Sequence, residues 1–316
     1  MKPFIIVSDG FDEALFNELK SISEFEVHPK SKLKLDELKV LLPKASALII
    51  RSATTVTPEL VDLAPNLKLV IRAGEGTDNI DKKYCAQKGV KVANTPGANN
   101  HSAAEHAIAL MFTALRHTAT AHASMVKGEW EKNRFASGNE LAKKTLGIIG
   151  FGRIGQIVAK VLSGFEPKVL FYDPMVKSST IPYARKVEDI NEIFKTADII
   201  SLHLPLMDST KNLITKNQLN LMKPTSILVN ASRGKIVNED DLLMALQNKQ
   251  FKAAAFDVFA TEPLAADSPL RKVDNLILTP HLGASTDEAQ VRVGEMVVSQ
   301  IREFFINKNL VNEVKA

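Results

Sequence analysis

Cysteine and long apolar runs are almost absent from this 316-residue chain. Cys85 is the only cysteine, which excludes an internal disulfide and a cysteine-based metal site and fits a reducing compartment. No apolar run approaches the about 18 residues that a membrane span needs, and the mean hydropathy is −0.03. The apolar run that opens the chain is too short for a secretory signal peptide, since Asp9 ends it. We therefore expect a cytoplasmic protein without a membrane partner.

Neither positive nor negative side chains are in large excess. The 40 basic residues stand against 36 acidic residues, for a formal net charge of +4. A nucleic-acid-binding protein would carry a pronounced basic patch, so this balance argues against such a partner. A mild positive balance is compatible with a small anionic ligand.

Short apolar runs alternate with helical patterns along the whole chain. The runs at 4–9, 47–52 and 67–74 are typical of parallel strands buried beneath helices on both faces. A long Ala-rich stretch predicts one helix over 102–126, after which a second series of strands and helices begins. We therefore predict two doubly wound α/β domains.

The change of pattern also predicts where the domains divide. The first domain is expected to cover 1–97 together with 283–316, and the second to cover 98–282. The closing helical stretch is thereby predicted to return to the first domain. Ser285 and Glu288 have the spacing of a capping box at its start.

The segment GIIGFGRIG carries a glycine motif at the end of an apolar run. Its three glycines are Gly150, Gly152 and Gly155. In a dinucleotide-binding motif they permit the tight turn, the close approach of the pyrophosphate and the packing of helix on strand. Free N–H groups at Arg153 and Ile154 would face the phosphates. Asp173, 18 residues beyond the last glycine, would bind the ribose diol and repel a 2′-phosphate, which predicts NAD rather than NADP.

Polar residues follow three predicted strands in the second half of the chain. Arg233 follows ILVNAS, Asp257 lies within AAAFDVF with Glu262 beyond it, and His281 follows LILTP. Open α/β sheets bind ligands at the carboxyl ends of their strands. Each residue alone has an ordinary explanation as a turn or surface residue. Together they favour a catalytic group.

Six segments carry a resemblance to a known family: RAGEGTDNID, NTPGANNHSAAEH, GIIGFGRIG, NASRGKIVNEDDL, AAFDVFATEPL and TPHLGAST. From about Ser52 to Val298 the chain resembles the D-2-hydroxyacid dehydrogenases, most closely the members that act on 3-phosphoglycerate. The resemblance implies a Rossmann NAD domain inserted into a flavodoxin-like substrate domain. It also implies a short form without C-terminal regulatory domains, in which feedback inhibition by serine is absent.

The resemblance assigns roles to the residues at the strand ends. His281 is expected to be the acid/base, Glu262 its partner and Arg233 the substrate anchor. Hydride would leave C2 of a 2-hydroxy acid while the imidazole accepts the hydroxyl proton, and a guanidinium would hold the carboxylate. Asp257 is expected at the nicotinamide side of the cofactor. Further expected cofactor contacts, besides Arg233 and His281, are Leu204, Pro205, Ala231, Ser232, Gly283 and Ala284.

Substrate contacts are expected from loops of the first domain, in addition to Arg233 and His281. They are Arg51, Ser52, Arg72, Gly74, Glu75, Gly76 and Asn99. N–H groups at 74–76 would bind the carboxylate and Arg51 the phosphate, although Arg51 and Arg72 are equally compatible with ordinary solvated arginines. Two residues depart from the family pattern. Glu75 replaces a small polar residue, and Leu204 replaces a common threonine that would contact NAD.

Three functions remain open at this point. The first is NAD-dependent oxidation of 3-phosphoglycerate to 3-phosphohydroxypyruvate, in serine biosynthesis. The second, which Glu75 keeps open, is reduction of glyoxylate, hydroxypyruvate or another 2-oxo acid. The third is an NAD-sensing scaffold similar to the transcriptional corepressors of this fold.

The Ala-rich stretch and the loop around Trp130 also resemble the family's dimerisation elements. We therefore expect a homodimer formed through 102–138. His106, His117 and His122 lie on this stretch without a carboxylate cluster, so we expect structural roles for them and no metal site.

Overall fold

The computed structural model describes residues 2–315 and divides the chain into two compact units. One unit consists of Met1–Asn99 and Ala284–Ala316, and the other of Asn100–Gly283. The boundaries predicted from the sequence, after 97 and after 282, differ from these bounds by two residues and one residue.

A five-stranded parallel sheet forms the centre of the first unit. Its strands are β1 (Phe4–Val7), β2 (Glu26–Val27), β3 (Ala47–Ile50), β4 (Leu69–Arg72) and β5 (Lys91–Asn94). Their order is β2-β1-β3-β4-β5, which is the flavodoxin-like order. All four residues of β3 are buried, which explains why this strand reads as a continuous apolar run.

Helices cover both faces of this sheet. They are α1 (Glu13–Ser21), α2 (Leu35–Leu41), α3 (Pro58–Asp62), α4 (Lys82–Gln87) and the closing helix of the chain (Asp287–Phe305), with a 3₁₀ turn at Leu42–Lys44. The closing helix buries Val293, Val297 and Ile301 against the sheet, a spacing of four residues that places them on one face. The closing helix therefore belongs to the core of the first unit.

The predicted capping box at the start of the closing helix is wrong. The N-cap is Thr286, whose side chain accepts from Ala289 N at 3.2 Å. The helix begins one residue later than the box requires, and alanine at the third helical position has no side-chain acceptor to return the bond.

A seven-stranded parallel sheet forms the second unit. Its strands are β6 (Thr145–Ile149), β7 (Lys168–Tyr172), β8 (Ala184–Lys186), β9 (Ile199–Leu202), β10 (Ile227–Asn230), β11 (Ala253–Phe256) and β12 (Leu276–Leu278). The order β12-β11-β10-β9-β6-β7-β8 is the Rossmann order extended by one strand, and the strand order reverses between β6 and β9, which are parallel neighbours. The predicted fold class, two doubly wound α/β domains, is confirmed.

The helices of the second unit differ from the prediction at one point. They are α5 (Asn100–Arg116), α6 (Thr118–Val126), α7 (Arg153–Val161), α8 (Ile190–Thr196), α9 (Lys216–Leu219) and α10 (Glu239–Gln247), with 3₁₀ turns at Leu162–Phe165 and Pro269–Lys272. The single helix predicted over 102–126 is two helices, because His117 has φ 56° and ψ 26°. A left-handed residue cannot continue a right-handed helix. The β-branched residues Thr118 and Thr120 weaken the helical preference there.

Between residues 2 and 315, no helix combines the length and apolar character needed to cross a membrane. Cys85 is buried and forms no disulfide, and burial raises the pKa of its thiol to about 11.

Candidate active site

The glycine loop lies at the carboxyl end of β6, where the strand order reverses. Gly150 has φ 91°, and a Cβ there would lie 2.4 Å from the carbonyl oxygen of His203. A Cβ on Gly155 would lie 2.3 Å from the carbonyl oxygen of Gly150. A side chain on Gly152, in contrast, would begin in open space, with no atom within 4 Å. The loop therefore has the tight turn, the close packing and the open backbone that a pyrophosphate needs.

The helix after this loop adds a favourable charge. Gly152 is the N-cap of α7, and Arg153 and Ile154 are its first residues. N–H groups of a first helical turn lack intrahelical partners and bear a partial positive charge. That these N–H groups face the phosphates of a cofactor stays a prediction.

Asp173 connects the end of β7 to the glycine loop. Its Oδ2 accepts from Phe151 N at 2.7 Å, and its Oδ1 accepts from Met175 N at 2.8 Å and Val176 N at 3.2 Å. Three bonds leave part of the accepting capacity of a carboxylate unused. The residues present fit a dinucleotide with a free 2′-hydroxyl, since the fixed negative charge would repel a 2′-phosphate.

On the other side of the reversal, β9 leads into His203, Leu204 and Pro205. Leu204 is 8% exposed and belongs to the apolar core, so it offers the cofactor no polar contact. His203 Nε2 lies 2.9 Å from Ser201 Oγ, and burial lowers the pKa of its ring to about 4. The ring is therefore neutral at pH 7. Sequence reasoning did not single out His203, and its only signal is its position between a strand and Pro205.

The loop after β10 presents Ala231, Ser232 and Arg233. Asn230 organises it, since its Oδ1 accepts from Ser232 N at 3.1 Å and from Ser232 Oγ at 2.9 Å. Asn230 Nδ2 donates to the carbonyl oxygen of Arg233 at 3.0 Å. Arg233 Nη1 donates to the carbonyl oxygen of Ser232 at 2.7 Å. Asn230 was missed as a functional residue, although it lies in the NASRG segment.

This loop touches the loop after β11 at Gly234. A Cβ on Gly234 would lie 1.8 Å from the carbonyl oxygen of Phe259, so only glycine fits. Phe259 N in turn donates to Glu262 Oε1 at 3.0 Å. The segments that carry Arg233 and Glu262 are thus held together by backbone contacts.

His281 and Glu262 form a direct pair. His281 Nδ1 lies 2.7 Å from Glu262 Oε2, and the two side chains are 39% and 35% exposed. Burial opposes the charge of Glu262, but hydrogen bonds from His281 and Phe259 outweigh it and hold the pKa of this carboxyl below its ordinary value. In a neutral ring the proton then resides on Nδ1, which leaves Nε2 as a base. The predicted partnership of the two residues matches this geometry.

Asp257 lies at the end of β11 and is fully buried. Its carboxylate accepts from Thr279 Oγ1 at 2.6 Å, Leu282 N at 2.8 Å and Gly283 N at 2.9 Å. Burial opposes its charge, yet its hydrogen bonds keep the pKa of Asp257 below the usual range. These three hydrogen bonds join Asp257 to the loop that carries His281; its contact with the cofactor stays a prediction.

In the first unit, Arg51 and Ser52 begin a turn after β3. Asp9, which is 6% exposed, accepts from Arg51 N at 2.5 Å and from Thr54 N and Oγ1 at 3.2 and 2.6 Å. Asn79 Nδ2 donates to the carbonyl oxygens of both Arg51 and Thr54 at 2.6 Å. Asp9 and Asn79, neither of which was predicted, therefore fix residues 51–54 through hydrogen bonds to their N–H groups and carbonyl oxygens. We call residues 51–54 the clamped turn.

The clamped turn leaves donors available. Within residues 2–315, the N–H groups of Ser52 and Ala53 make no hydrogen bond. Burial lowers the pKa of the Arg51 guanidinium, although the charge of Asp9 opposes this effect. Two adjacent N–H groups beside a guanidinium suit an anion.

Arg72 ends β4 and is paired in register with Ile50 of β3, so the loops at 51–54 and 73–76 leave the same edge of the sheet. The Arg72 guanidinium covers Gly74, where a Cβ would lie 1.3 Å from Nη1. Glu75 is half-buried, and its carbonyl oxygen accepts from Asn94 Nδ2 at 2.6 Å.

Three further residues were predicted to contact the substrate or the cofactor: Gly76, Asn99 and Ala284. Gly76 is half-buried. Asn99 Oδ1 is buried and accepts no hydrogen bond from the described residues, which suits a donor on a ligand. The carbonyl oxygen of Ala284, which precedes the closing helix, accepts from Nε2 of Gln290 in that helix at 2.8 Å. No group of three His, Cys, Asp or Glu side chains among residues 2–315 is arranged to hold a metal ion.

Comparisons with known proteins agree with this geometry. A curated D-3-phosphoglycerate dehydrogenase from Methanocaldococcus jannaschii is 41% identical over 313 residues, 98% of this chain and 59% of that protein. A hydroxypyruvate reductase from Thermotoga maritima is 42% identical over 298 residues, 93% of this chain and 96% of that protein. The structure of an NAD-dependent formate dehydrogenase from Staphylococcus aureus in complex with NAD is similar with a TM-score of 0.88 at 31% identity, covering 100% of this chain and 99% of that one.

The chain spans 59% of the length of the Methanocaldococcus jannaschii protein and 50% of that of a curated D-3-phosphoglycerate dehydrogenase from Mycobacterium bovis. Residues 108–283 match the NAD binding domain of the D-isomer specific 2-hydroxyacid dehydrogenases, and this range contains the glycine loop, Arg233, Glu262 and His281. The chain therefore belongs to the D-isomer specific 2-hydroxyacid dehydrogenase family, with its NAD binding domain in the second unit.

Proposed function

We propose that the protein is an NAD-dependent dehydrogenase that oxidises 3-phosphoglycerate to 3-phosphohydroxypyruvate, the first step towards serine. The observation that carries the catalytic part is the His281–Glu262 pair at 2.7 Å, on a loop fixed by the buried Asp257. In this proposal the second unit is the cofactor domain and the first unit is the substrate domain.

The residues of the chain have separate tasks in this reaction. A bound NAD would supply the acceptor for the hydride of the substrate C2. His281 Nε2 takes the proton of the substrate hydroxyl, while Nδ1–H donates to Glu262. The carboxylate orients the ring and stabilises its protonated form. Arg233 holds the substrate carboxylate and so fixes the position of C2.

The cofactor is proposed to be held by the loops around the reversal of strand order. The glycine loop and the start of α7 take the pyrophosphate, and Asp173 takes the ribose diol. Further contacts are proposed from Leu204, Pro205, Ala231, Ser232, Asp257, Gly283 and Ala284. The open backbone at Gly152 is the feature that best supports this placement.

A phosphorylated substrate is favoured by the clamped turn at 51–54. Arg51 with the N–H groups of Ser52 and Ala53 suits a dianion, and Asn99 Oδ1 is a buried acceptor for a hydroxyl. Arg72, Gly74, Glu75 and Gly76 complete the proposed substrate contacts. The carboxylate of Glu75 argues against this substrate, because it would repel a second anionic group nearby.

A second candidate is reduction of hydroxypyruvate or glyoxylate. It is favoured by Glu75 and by the hydroxypyruvate reductase of Thermotoga maritima, of which this chain covers 96%. An NAD-sensing scaffold is the third candidate. The intact His281–Glu262 pair has no task in a scaffold, so we rank it last.

The substrate is tested by steady-state kinetics. We expect kcat/KM with NAD to be at least about tenfold higher on 3-phosphoglycerate than on D-glycerate or D-lactate, since a bound phosphate contributes on the order of 1.4 kcal/mol or more. Reduction of hydroxypyruvate and glyoxylate with NADH is measured in parallel. Equal values for phosphorylated and unphosphorylated acids would overturn the first choice and favour the second. No turnover of any acid would favour the scaffold.

We also propose a homodimer that forms through residues 102–138. The protein is proposed to be cytosolic, because its single cysteine, Cys85, is buried and unpaired. Met125, Val126 and Trp130 are 53%, 73% and 79% exposed, and a group of exposed large apolar side chains marks an interaction surface. Trp130→Glu should shift the molar mass measured by light scattering from dimer to monomer, whereas Met175→Glu, at an 87% exposed position outside this surface, should not. A wild-type monomer would overturn this proposal.

A further inference from the structure

His106 lies in α5, distant in sequence from the catalytic residues, yet it reaches the buried carboxylate beside them. Its Nε2 lies 3.1 Å from Asp257 Oδ1 and 3.3 Å from Thr279 Oγ1. The His106 side chain is 18% exposed, and that of Asp257 is completely buried. A histidine on a helix is thus in contact with the hydrogen-bond network that supports the loop of His281.

Asp257 determines the conformation of that loop. It accepts from the N–H groups of Leu282 and Gly283, the two residues that follow His281, and from the hydroxyl of Thr279. His281 itself has φ 57°, in the left-handed region that few non-glycine residues adopt. The carboxylate of Asp257 holds the chain on both sides of His281.

The orientation of this carboxylate depends in turn on His106. Three of the donors around Asp257 belong to the loop itself, at 279, 282 and 283, and they can move with it. His106 belongs to α5, whose neighbours Ala104 and Ala107 are fully buried, so its donor is fixed by a different element. A buried carboxylate that loses a donor is left with an unmet hydrogen-bonding demand and reorients or admits water.

We propose that His106 is a positioning residue: it fixes the carboxylate of Asp257 and, through it, the backbone on which His281 meets Glu262. His106 makes no contact with His281 or Glu262 among the hydrogen bonds and ion pairs of the described residues. Its effect is therefore transmitted by the loop. The inference rests on the proposed role of His281 as acid/base, but it does not depend on which 2-hydroxy acid is the substrate.

Kinetics of two His106 variants and one control test the proposal. His106→Leu removes the donor, and His106→Gln retains an N–H donor near the position of Nε2. His28→Leu, the control, changes a histidine of the first unit that lies outside 102–138. We expect His106→Leu to lower kcat by roughly 10- to 100-fold with KM changed less than about threefold, since small misplacements of a catalytic group have effects of this size. His106→Gln should restore kcat to within about threefold of wild type, and the control should match wild type.

Hydrogen–deuterium exchange supplies a readout that needs no turnover. The amides of Leu282 and Gly283 donate to Asp257 and should exchange at least about tenfold faster in His106→Leu than in wild type, His106→Gln or His28→Leu. Far-UV circular dichroism and Tm show whether each variant is folded. Unchanged kcat and unchanged exchange in His106→Leu would overturn the inference, as would equal losses in the Leu and Gln variants. If wild type turns over no 2-hydroxy acid, the proposed function fails, and the exchange rates alone decide on His106.

Discussion

At the scale of single residues, the site depends on charges and hydrogen bonds whose direction can be worked out one by one. The Glu262 carboxyl has its pKa held below the ordinary value, so its pairing with His281 persists above the unfolded-state pKa and weakens only as the pH falls through the lower, folded-state value. Its loss is thus confined to strongly acidic conditions. His203 also lowers the stability as the pH falls, but in a milder pH range.

His203 should make the protein less stable in mild acid. Burial lowers its pKa from 6.5 to about 4, so below pH 6.5 the unfolded state binds a proton that the folded state excludes. The free energy of unfolding therefore decreases as the pH falls from 6.5 towards 4 and levels off below that. Between pH 7 and pH 5, the free energy of unfolding measured with urea should decrease by about 1–2 kcal/mol more in wild type than in His203→Asn. The exposed His122→Asn is the control, and identical losses in wild type and His203→Asn would contradict the assignment.

Asp173 should control the choice between NAD and NADP. Its carboxylate is 9% exposed and is fixed by three backbone N–H groups. Asp173→Asn removes the charge while keeping an acceptor, so the ratio of kcat/KM for NADP to that for NAD should rise by about tenfold or more. Asp189→Asn, at an exposed helix cap, should leave the ratio unchanged. An unchanged ratio in Asp173→Asn would exclude the ribose contact.

At the scale of elements, local patterns predict most strands and the start of the nucleotide-binding helix. The apolar runs correspond to β1, β3 and β4, and the glycine spacing predicts α7 at Arg153. The break at His117 and the cap at Thr286 were not predicted, because each depends on one residue's backbone conformation and not on periodicity.

The supporting contacts of the candidate site were also beyond sequence reasoning. Asp9 contacts Arg51 across 42 residues, and His106 contacts Thr279 across 173 residues. Polar residues such as these carry no local signal of their partners, because the contact exists only once the sheets have assembled. The signature residues Arg233, Glu262 and His281 are visible in the sequence, whereas the residues that hold them in place are not.

Gly234 should be essential to the contact between the loops that follow β10 and β11. A Cβ would lie 1.8 Å from Phe259 O, so Gly234→Ala must push apart the segments of Arg233 and Glu262. We expect a loss of about 1–3 kcal/mol in the free energy of unfolding, as for other overpacked sites, together with a reduced kcat. Gly164→Ala introduces the same methyl group where no atom lies within 4 Å and should be nearly neutral. Equal stability of the two variants would show that the loops can separate without cost.

At the scale of the whole molecule, one chain builds two parallel sheets with different strand orders. The first unit is assembled from both ends of the sequence, and the closing helix completes its core. The second unit is continuous and carries the residues that match the NAD binding domain of the family. Nucleotide binding and proton transfer are therefore proposed for one continuous segment, and substrate selection in part for the other unit.

His281 is proposed to transfer the proton in an NAD-dependent oxidation of a D-2-hydroxy acid. The most direct test of this role is the kcat of His281→Ala on the best substrate, measured beside the dissociation constant for NAD. We expect a decrease of roughly 100-fold or more in kcat, with NAD still bound at near wild-type affinity. A His281→Ala variant that retains wild-type kcat would contradict it.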